Sequence, residues 1–129
     1  MSDRDIMNAK YGIEEAFNET DPVKILKKEY PTIYSGYMDI MERQLEIFAS
    51  KHLDYGLANI AAGTLLHTKE ERRFALTGIW YRLSDKVSRW KNLLISKRKE
   101  NNEPLTDTYQ DIANYAIIAQ LVDKGLWKK

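Results

Sequence analysis

The stretch from Asp107 to Val122 constrains the fold most, because its residues are apolar on almost every side of a helix. At roughly 100° per residue, Asp107, Asp111 and Asn114 fall on one side, and Ile, Ala, Tyr, Leu and Val fill the others. A helix this apolar is largely buried, so its polar stripe needs partners. We therefore expect a second polar surface to face it.

An earlier basic segment supplies a candidate for that surface. The polar side of a long predicted helix carries Arg82, Asp85, Lys86, Arg89 and Asn92. Such a face is normally just solvated, and Asp85 with Arg89 forms an ordinary ion pair within one helix. Gly78 lies on the same side, where glycine costs about 1 kcal/mol relative to alanine, which indicates that something approaches the backbone closely. We interpret the two stripes as facing parts of one polar site.

The remaining pattern predicts an all-α fold. No segment alternates apolar and polar residues over a strand's length, and the chain of 129 residues is long enough for one domain, 1–129, with a core. Turn and capping signals such as Thr20-Asp21-Pro22 and Gly125 mark the ends of helices. We predict a helical bundle of four main helices, preceded by a polar arm or short helix over residues 1–19. The four helices are expected near 21–29, 33–51, 70–99 and 105–124.

Composition narrows the function. Lys plus Arg number 20 against 19 Asp plus Glu, so no global field attracts nucleic acid, and DNA binding is not expected. The chain has no cysteine, which excludes thiolate zinc sites and cysteine nucleophiles. The N-terminus does not resemble a signal peptide, and no apolar run approaches the roughly 20 residues of a membrane span. We expect a cytoplasmic protein without a membrane partner.

Several side chains have a structural interpretation beside a functional one. Trp80 and Trp90 are expected in the core, and Trp127 is expected to pack back on it. Asp39, Glu42 and Glu46 are expected on a solvated face, the alternative being a metal site between helices. His52 and His67 are expected to be ordinary histidines, because their spacing suggests no zinc motif. The run from Lys51 to Thr64 is expected to form an irregular connector or a short helix.

Two motif blocks carry a resemblance to a known family. The blocks are Arg82-x-x-Asp85-Lys86-x-x-Arg89-x-x-Asn92 and Asp107-Thr108-x-x-Asp111-x-x-Asn114-Tyr115, accompanied by Asp54-Tyr55-Gly56 and Asn102-Glu103. Together they resemble the phage and bacterial family called nucleotide modification associated domain, type one, over roughly residues 40–122. The resemblance implies nucleotide metabolism in a phage or bacterium, and the host cytoplasm if a phage encodes the protein. It does not imply a particular activity.

A more distant resemblance is to the all-α nucleotide pyrophosphohydrolases of the MazG and dCTPase type. Their last site helix carries Glu-x-x-Asp, and Thr108-Tyr-Gln-Asp111 is similar except that Thr108 replaces the Glu. This resemblance implies a Mg²⁺-dependent hydrolase, with Mn²⁺ as a substitute, in which Asp111 is a metal ligand. We predict Asp85, Asp107 and Asp111 as the catalytic acids, with the Glu42–Glu46 pair as an alternative source of carboxylates. The metal ligands would be Glu103, Asp107 and Asp111. The ligand would be held by Arg82, Lys86, Arg89, Asn92, Asn114, Tyr115 and Tyr55.

Three hypotheses follow from these residues. The first is the Mg²⁺-dependent nucleoside triphosphate pyrophosphohydrolase, in which Arg and Lys grip the phosphates. The second is a non-catalytic binder that sequesters a nucleotide immune signal or a modified precursor, as an anti-defence protein does. The third is a structural helical module without a small ligand. Because helical bundles of this size often build sites where subunits meet, we also expect a homo-oligomer.

Overall fold

The computed structural model describes residues 19–98 and 104–129, and within these ranges the chain is helical without strands. This confirms the all-α prediction, and the four main helices lie close to their predicted positions. In chain order the helices are α1 (Pro22–Glu29), α2 (Pro31–Tyr55), α3 (Ala58–Ala61), α4 (Lys69–Ser96) and α5 (Leu105–Asp123). None of these helices is both long and apolar enough to cross a bilayer. The predicted arm or helix over 1–18 lies outside the described residues.

The chain divides into two compact units, one ending at Arg43 and the other comprising Gln44–Lys129. In the first unit the side chain of Asp21 caps α1 by accepting a hydrogen bond from a backbone N–H of the first turn. The backbone of Tyr30 is no longer helical, with φ −130° and ψ 61°, as expected of a residue that precedes proline. The next helix, α2, therefore begins at Pro31 and runs into the second unit. The assignment of 1–129 to a single domain stays a prediction.

Left-handed backbone shapes the connector between α2 and α4. Gly56 and Gly63 have φ of 67° and 81°, which glycine adopts without steric cost. Ala62 and Leu66 are also left-handed, with φ of 52° and 57°, although they carry side chains. The predicted irregular connector is found from Gly56 onward, with α3 as the short helix within it, whereas residues 51–55, which were expected to belong to it, continue α2.

The long helix α4 begins with a reciprocal capping box. Thr68 accepts a hydrogen bond from the backbone N–H of Glu71 at 3.1 Å, and the Glu71 carboxylate accepts one from the backbone N–H of Thr68 at 3.1 Å. The hydrogen bond from the Thr68 backbone is the main reason why the pKa of Glu71 lies below its usual value. These bonds satisfy N–H groups that a helix start otherwise leaves without acceptors.

The last helix, α5, ends in the left-handed cap that the sequence predicts. Gly125 has φ 71°, its N–H donates to the Val122 carbonyl at 3.0 Å, and Leu126 N–H donates to the Leu121 carbonyl at 2.8 Å. This pair of bonds is a Schellman motif. It turns the chain back towards the helices, which brings Trp127 into the core as predicted.

The core of the second unit lies where α4 and α5 pack together and α3 packs on α4. Ala75 and Ile79 contribute the buried face of α4, and Ile118 and Val122 contribute that of α5. The core is completed by Ile60 of α3 and by Trp127. Because α5 is buried along one face over four turns, packing of that face fixes the positions of the polar side chains that it carries.

The structure corrects two expectations about α4. Trp80 is 60% exposed, because it lies about 100° around the helix from Ile79 rather than on the buried face, and Trp90 is 38% exposed against the ring of Tyr109. Both were expected in the core. A Cβ at Gly78 would meet nothing within 4 Å among the described residues, so the close approach expected there is not made by this part of the chain.

Candidate functional site

A pocket of about 330 Å³ lies in the second unit, bordered by residues of α2, α3, α4, α5 and the turn that carries Trp127. Its wall combines aromatic rings with cations, a carboxylate and amides, rather than being apolar throughout. The residues that border it are Phe48, Lys51, His52, Tyr55, Gly56, Asn59, Ile60, Arg82, Asp111, Asn114, Tyr115, Ile118 and Trp127. A concave site of mixed apolar and polar character is the usual form of a small-molecule site.

Asp111 lies in this wall and is held by two lysines. Lys86 Nζ on α4 is 2.9 Å from one carboxylate oxygen, and Lys51 Nζ on α2 is 3.0 Å from the other. Partial burial acts to raise the pKa of Asp111, but the hydrogen bonds and charges of Lys86 and Lys51 outweigh it, so the pKa lies below its usual value. Asp111 is therefore an anion whose two oxygens both carry cationic donors. It connects three helices through charge-assisted hydrogen bonds.

Arg82 is a further cation in the wall of the pocket. Its Nη2 donates to the backbone carbonyl of Asn59 at 2.9 Å, and its guanidinium lies 5.9 Å from the centre of the Tyr115 ring. A guanidinium has five N–H donors, so this one bond leaves further donors in a fixed plane beside the pocket. The carbonyl bond and the ring contact together fix its direction.

A buried amide pair lies behind the polar wall. Asn114 is 8% exposed and Gln44 is 6% exposed. Gln44 Nε2 donates to the Asn114 Oδ1 at 3.3 Å and to the backbone carbonyl of Gln110 at 3.1 Å. Asn114 thus borders the pocket while its carbonyl oxygen accepts a hydrogen bond from Gln44.

Three aromatic side chains that border the pocket contact one another. The ring of His52 lies 5.4 Å from Phe48 in a stacked arrangement and 5.0 Å from Trp127 edge to face. Trp127 Nε1 donates to the Leu57 carbonyl at 3.1 Å, so the indole is fixed as well as buried. This cluster gives the pocket rigid, polarisable faces that suit stacking with a planar ring.

The structure brings together some of the predicted site residues. Tyr55, Arg82, Asp111, Asn114 and Tyr115 all border the pocket, and Lys86 reaches it through Asp111. On α4 the side chains of Asp85 and Asn92 are exposed, because Lys86 rather than Asp85 occupies the side that faces α5. Arg89 donates to the hydroxyl of buried Thr108, away from the residues that border the pocket. The polar stripes of α4 and α5 therefore contact each other through Lys86 and Asp111, whereas Asp85 and Asn92 take no part in the pocket.

Sequence reasoning missed several residues of the pocket. Lys51 received no role and His52 was interpreted as an ordinary histidine, although both border the pocket from α2. Their spacing of three and four residues from Phe48 and Tyr55 was the available signal, since such spacing places side chains on one helix face. Asp39, Glu42 and Glu46 are exposed, as their solvated interpretation predicted.

Among the described residues, the predicted magnesium site has no cluster of ligands. Outside 1–18 and 99–103, no group of three or more acidic or histidine side chains is placed to hold a metal ion. Asp107 is partly exposed one turn before Asp111, and both oxygens of Asp111 face ammonium groups that would repel a divalent cation. Glu103 lies outside the described residues. The magnesium prediction, with its catalytic acids, stays a prediction.

The geometry therefore defines a helical protein with a cationic, aromatic pocket. Comparison with known families assigns residues 51–122 to nucleotide modification associated domain 1. Because the match spans more than half of the chain, the chain belongs to this family, as its two motif blocks predicted. No curated protein and no solved structure matches the chain. The matched range contains Lys51, Arg82, Asp111 and Asn114, whereas Gln44 and Trp127 lie outside it.

Proposed function

We propose that this protein binds a nucleotide in the pocket and holds it without cleaving it. The observation that carries the proposal is that the pocket is lined both by the cations Lys51 and Arg82 and by aromatic rings that contact one another. A nucleotide needs both, since its phosphates are anionic and its base is a flat ring. Membership of a nucleotide-associated family supports the same ligand class.

Lys51 and Arg82 are suited to the phosphate groups. The side chain of Lys51 is 57% exposed, so it can exchange Asp111 for a phosphate oxygen at little cost. Lys86, which is 24% exposed, stays with Asp111 and keeps that carboxylate neutralised. Arg82 adds planar donors of the kind that bind phosphate with two parallel hydrogen bonds.

The aromatic rings and the amides are suited to the nucleoside. Stacking of a base on an aromatic ring contributes about 1–3 kcal/mol in single-stranded nucleic acid complexes. Tyr55, Tyr115 and the His52–Trp127 pair each offer a ring at the border of the pocket. Asn114 then offers the polar contact that can distinguish one base from another.

The charge balance favours holding over cutting. Around the pocket Asp111 is matched by Lys51, Lys86 and Arg82, which attracts an anion, whereas a hydrolase of the predicted type needs acids free to bind Mg²⁺. The MazG-like pyrophosphohydrolase remains the alternative. It rests on the resemblance around Thr108 and Asp111 rather than on a cluster of carboxylates.

Nucleotide titration of the purified protein tests the proposal. A panel of dNTPs and NTPs is titrated by calorimetry and by tryptophan fluorescence, once in EDTA and once in Mg²⁺, and the nucleotide is then analysed by mass spectrometry. We expect saturable binding in EDTA and recovery of the intact triphosphate. Release of pyrophosphate in Mg²⁺ or Mn²⁺ would instead establish the hydrolase, and failure of every nucleotide to bind would overturn the proposal.

Matched charge variants locate the binding. Lys51→Met and Arg82→Met should each weaken triphosphate binding roughly tenfold or more, as expected when a charge-assisted hydrogen bond is lost. Lys91→Met removes an exposed charge from α4 outside the pocket and is the control. If Lys91→Met weakens binding as much as Lys51→Met, the effect is one of net charge and the pocket is not the site.

We also propose that the protein self-associates through the outward face of α4, with a second copy as the partner. Six large apolar side chains there are 49–68% exposed: Phe74, Trp80, Tyr81, Val87, Leu94 and Ile95. The three aromatic side chains alone expose on the order of 350 Å², at 150–250 Å² each, and the three aliphatic side chains extend this surface towards the roughly 800 Å² per partner of a stable interface. Trp80, Val87 and Leu94 are seven residues apart, the repeat of a packed helix pair.

Sedimentation velocity tests this interface. Wild-type protein should sediment as a dimer or larger species, and Leu94→Glu should shift it towards the monomer. Leu53→Glu, at an even more exposed leucine of α2 (85%), is the matched control and should not change the oligomer. A monomeric wild type, or equal shifts in both variants, would contradict the proposal.

A further inference from the structure

The buried amide pair behind the pocket fixes how Asn114 presents itself to a ligand. The two hydrogens of Gln44 Nε2 are directed to two acceptors, the Gln110 backbone carbonyl and the Asn114 Oδ1. Since the backbone carbonyl can only accept, Gln44 must place its NH₂ group, and not its oxygen, on this side. Asn114 must then turn its oxygen towards Gln44.

The other branch of the Asn114 amide is left for the pocket. Its Nδ2 has no hydrogen-bond acceptor among residues 19–98 and 104–129, although the side chain is only 8% exposed. Buried donors without acceptors cost free energy, so the arrangement is completed when something in the pocket accepts from Nδ2. A ligand that places an acceptor oxygen in the pocket can supply this contact.

We propose that Asn114 is a specificity residue that donates to a carbonyl oxygen of the base, and that Gln44 is the positioning residue that imposes this polarity. The inference rests on the nucleotide site proposed above. Because the Asn114 oxygen is turned towards Gln44, the Nδ2 group is the branch left for the base, and the exocyclic amino group of cytosine or adenine would meet a second donor there. The site therefore selects bases with a keto group at the contact, such as uracil or hypoxanthine, over their amino counterparts.

The size of the expected selectivity follows from the cost of a donor that meets another donor. A site that donates to a ligand oxygen discriminates against an amino group, because two donors then face each other and one polar group is desolvated without a partner. We expect the keto member of a matched pair to bind roughly tenfold or more tightly than the amino member. Phosphate and sugar contacts are the same for both members, so the ratio of the two Kd values isolates the base contact.

Two matched ligand pairs and two variants test the inference. Kd is measured in EDTA for dUTP against dCTP and for dITP against dATP, which differ mainly by a keto or an amino group. Asn114→Asp replaces the donor by an acceptor and should reverse the preference towards dCTP and dATP. Gln44→Met keeps the volume but frees the Asn114 amide to turn, so the ratio should fall towards one while overall affinity is largely kept. Thermal unfolding of each variant confirms that it is folded.

The outcomes separate this inference from the function on which it rests. Nucleotide binding with equal affinity for both members of each pair, or a keto preference that survives Asn114→Asp, would overturn the specificity role. A preference that Gln44→Met leaves unchanged would show that Gln44 only fills the core and does not position Asn114. Failure of all four nucleotides to bind wild-type protein would overturn the nucleotide site itself.

Discussion

Lys86→Met tests the role of the shared carboxylate most directly, because it removes one ammonium from Asp111 and leaves the other. The side chains of Asp111 and Lys86 are 16% and 24% exposed. Removing one partner of a fully buried ion pair costs about 3–5 kcal/mol, whereas exposed pairs are worth about 0–1 kcal/mol. Since this pair retains some contact with water and Lys51 stays in place, we expect a loss of about 1–2 kcal/mol in the free energy of unfolding.

The assay is urea unfolding of the nucleotide-free protein, followed by helical circular dichroism. Lys51→Met is the matched control, because it removes the same charge from the same carboxylate at a side chain that is 57% exposed. We expect it to cost about 0.5 kcal/mol or less. The slope of the free energy of unfolding against urea concentration should be unchanged in both variants, since neither substantially alters the surface buried on folding.

Three results would contradict the reasoning about this ion pair. They are an equal loss of unfolding free energy in the two variants, a larger loss in Lys51→Met, or no loss in Lys86→Met. The pKa of Asp111 gives an independent check by carboxyl NMR. Both lysines lower that pKa through a hydrogen bond and through their charge, so Lys86→Met and Lys51→Met should each raise it.

Three further predictions concern the same unit. Gly125→Ala should cost about 1–2 kcal/mol at its left-handed φ of 71°, whereas Gly78→Ala, inside α4 with nothing within 4 Å of the added Cβ, should stabilise by about 0.5–1 kcal/mol; thermal unfolding compares them. Thr108→Val removes a fully buried acceptor and should cost about 1–3 kcal/mol in urea unfolding, against little for exposed Thr77→Val. The folded-state pKa of Asp111 is below its usual 3.8, so its contribution to stability is complete above pH 3.8 and is lost as the pH falls through the folded-state pKa. In acid unfolding, the stability of Asp111→Asn should therefore fall less steeply below about pH 4 than that of the wild type.

Much of the fold could be predicted because local chemistry decides it. Asp21 and Gly125 mark the ends of helices through their own hydrogen bonds and backbone preference, which do not depend on distant residues. The apolar character of the stretch from Asp107 to Val122 likewise predicts that its polar residues are partly or fully buried. Thr108, Asn114 and Asp111 are indeed on the inner side of α5.

The candidate site could be predicted only in part, because periodicity gives the spacing on one helix but not the rotation of that helix against its neighbours. Asp85 and Lys86 are adjacent in sequence, and a turn of 100° decides which of them meets Asp111. Lys51 and Gln44 come from α2, about 60–70 residues from their partners, where no local signal links them. The exposure of Trp80 has the same cause.

The hydrogen bond from Trp127 to Leu57 spans 70 residues, and this separation governs when the pocket can form. Local helices can form in a nascent chain as soon as their residues have been synthesised, but a contact of this span forms only after the intervening chain has closed into a loop. The faces of Phe48 and His52 that Trp127 covers therefore stay open to solvent until almost all of this sequence has been made. The ring contacts of this side of the pocket therefore depend on a long-range contact and not on the formation of any single helix.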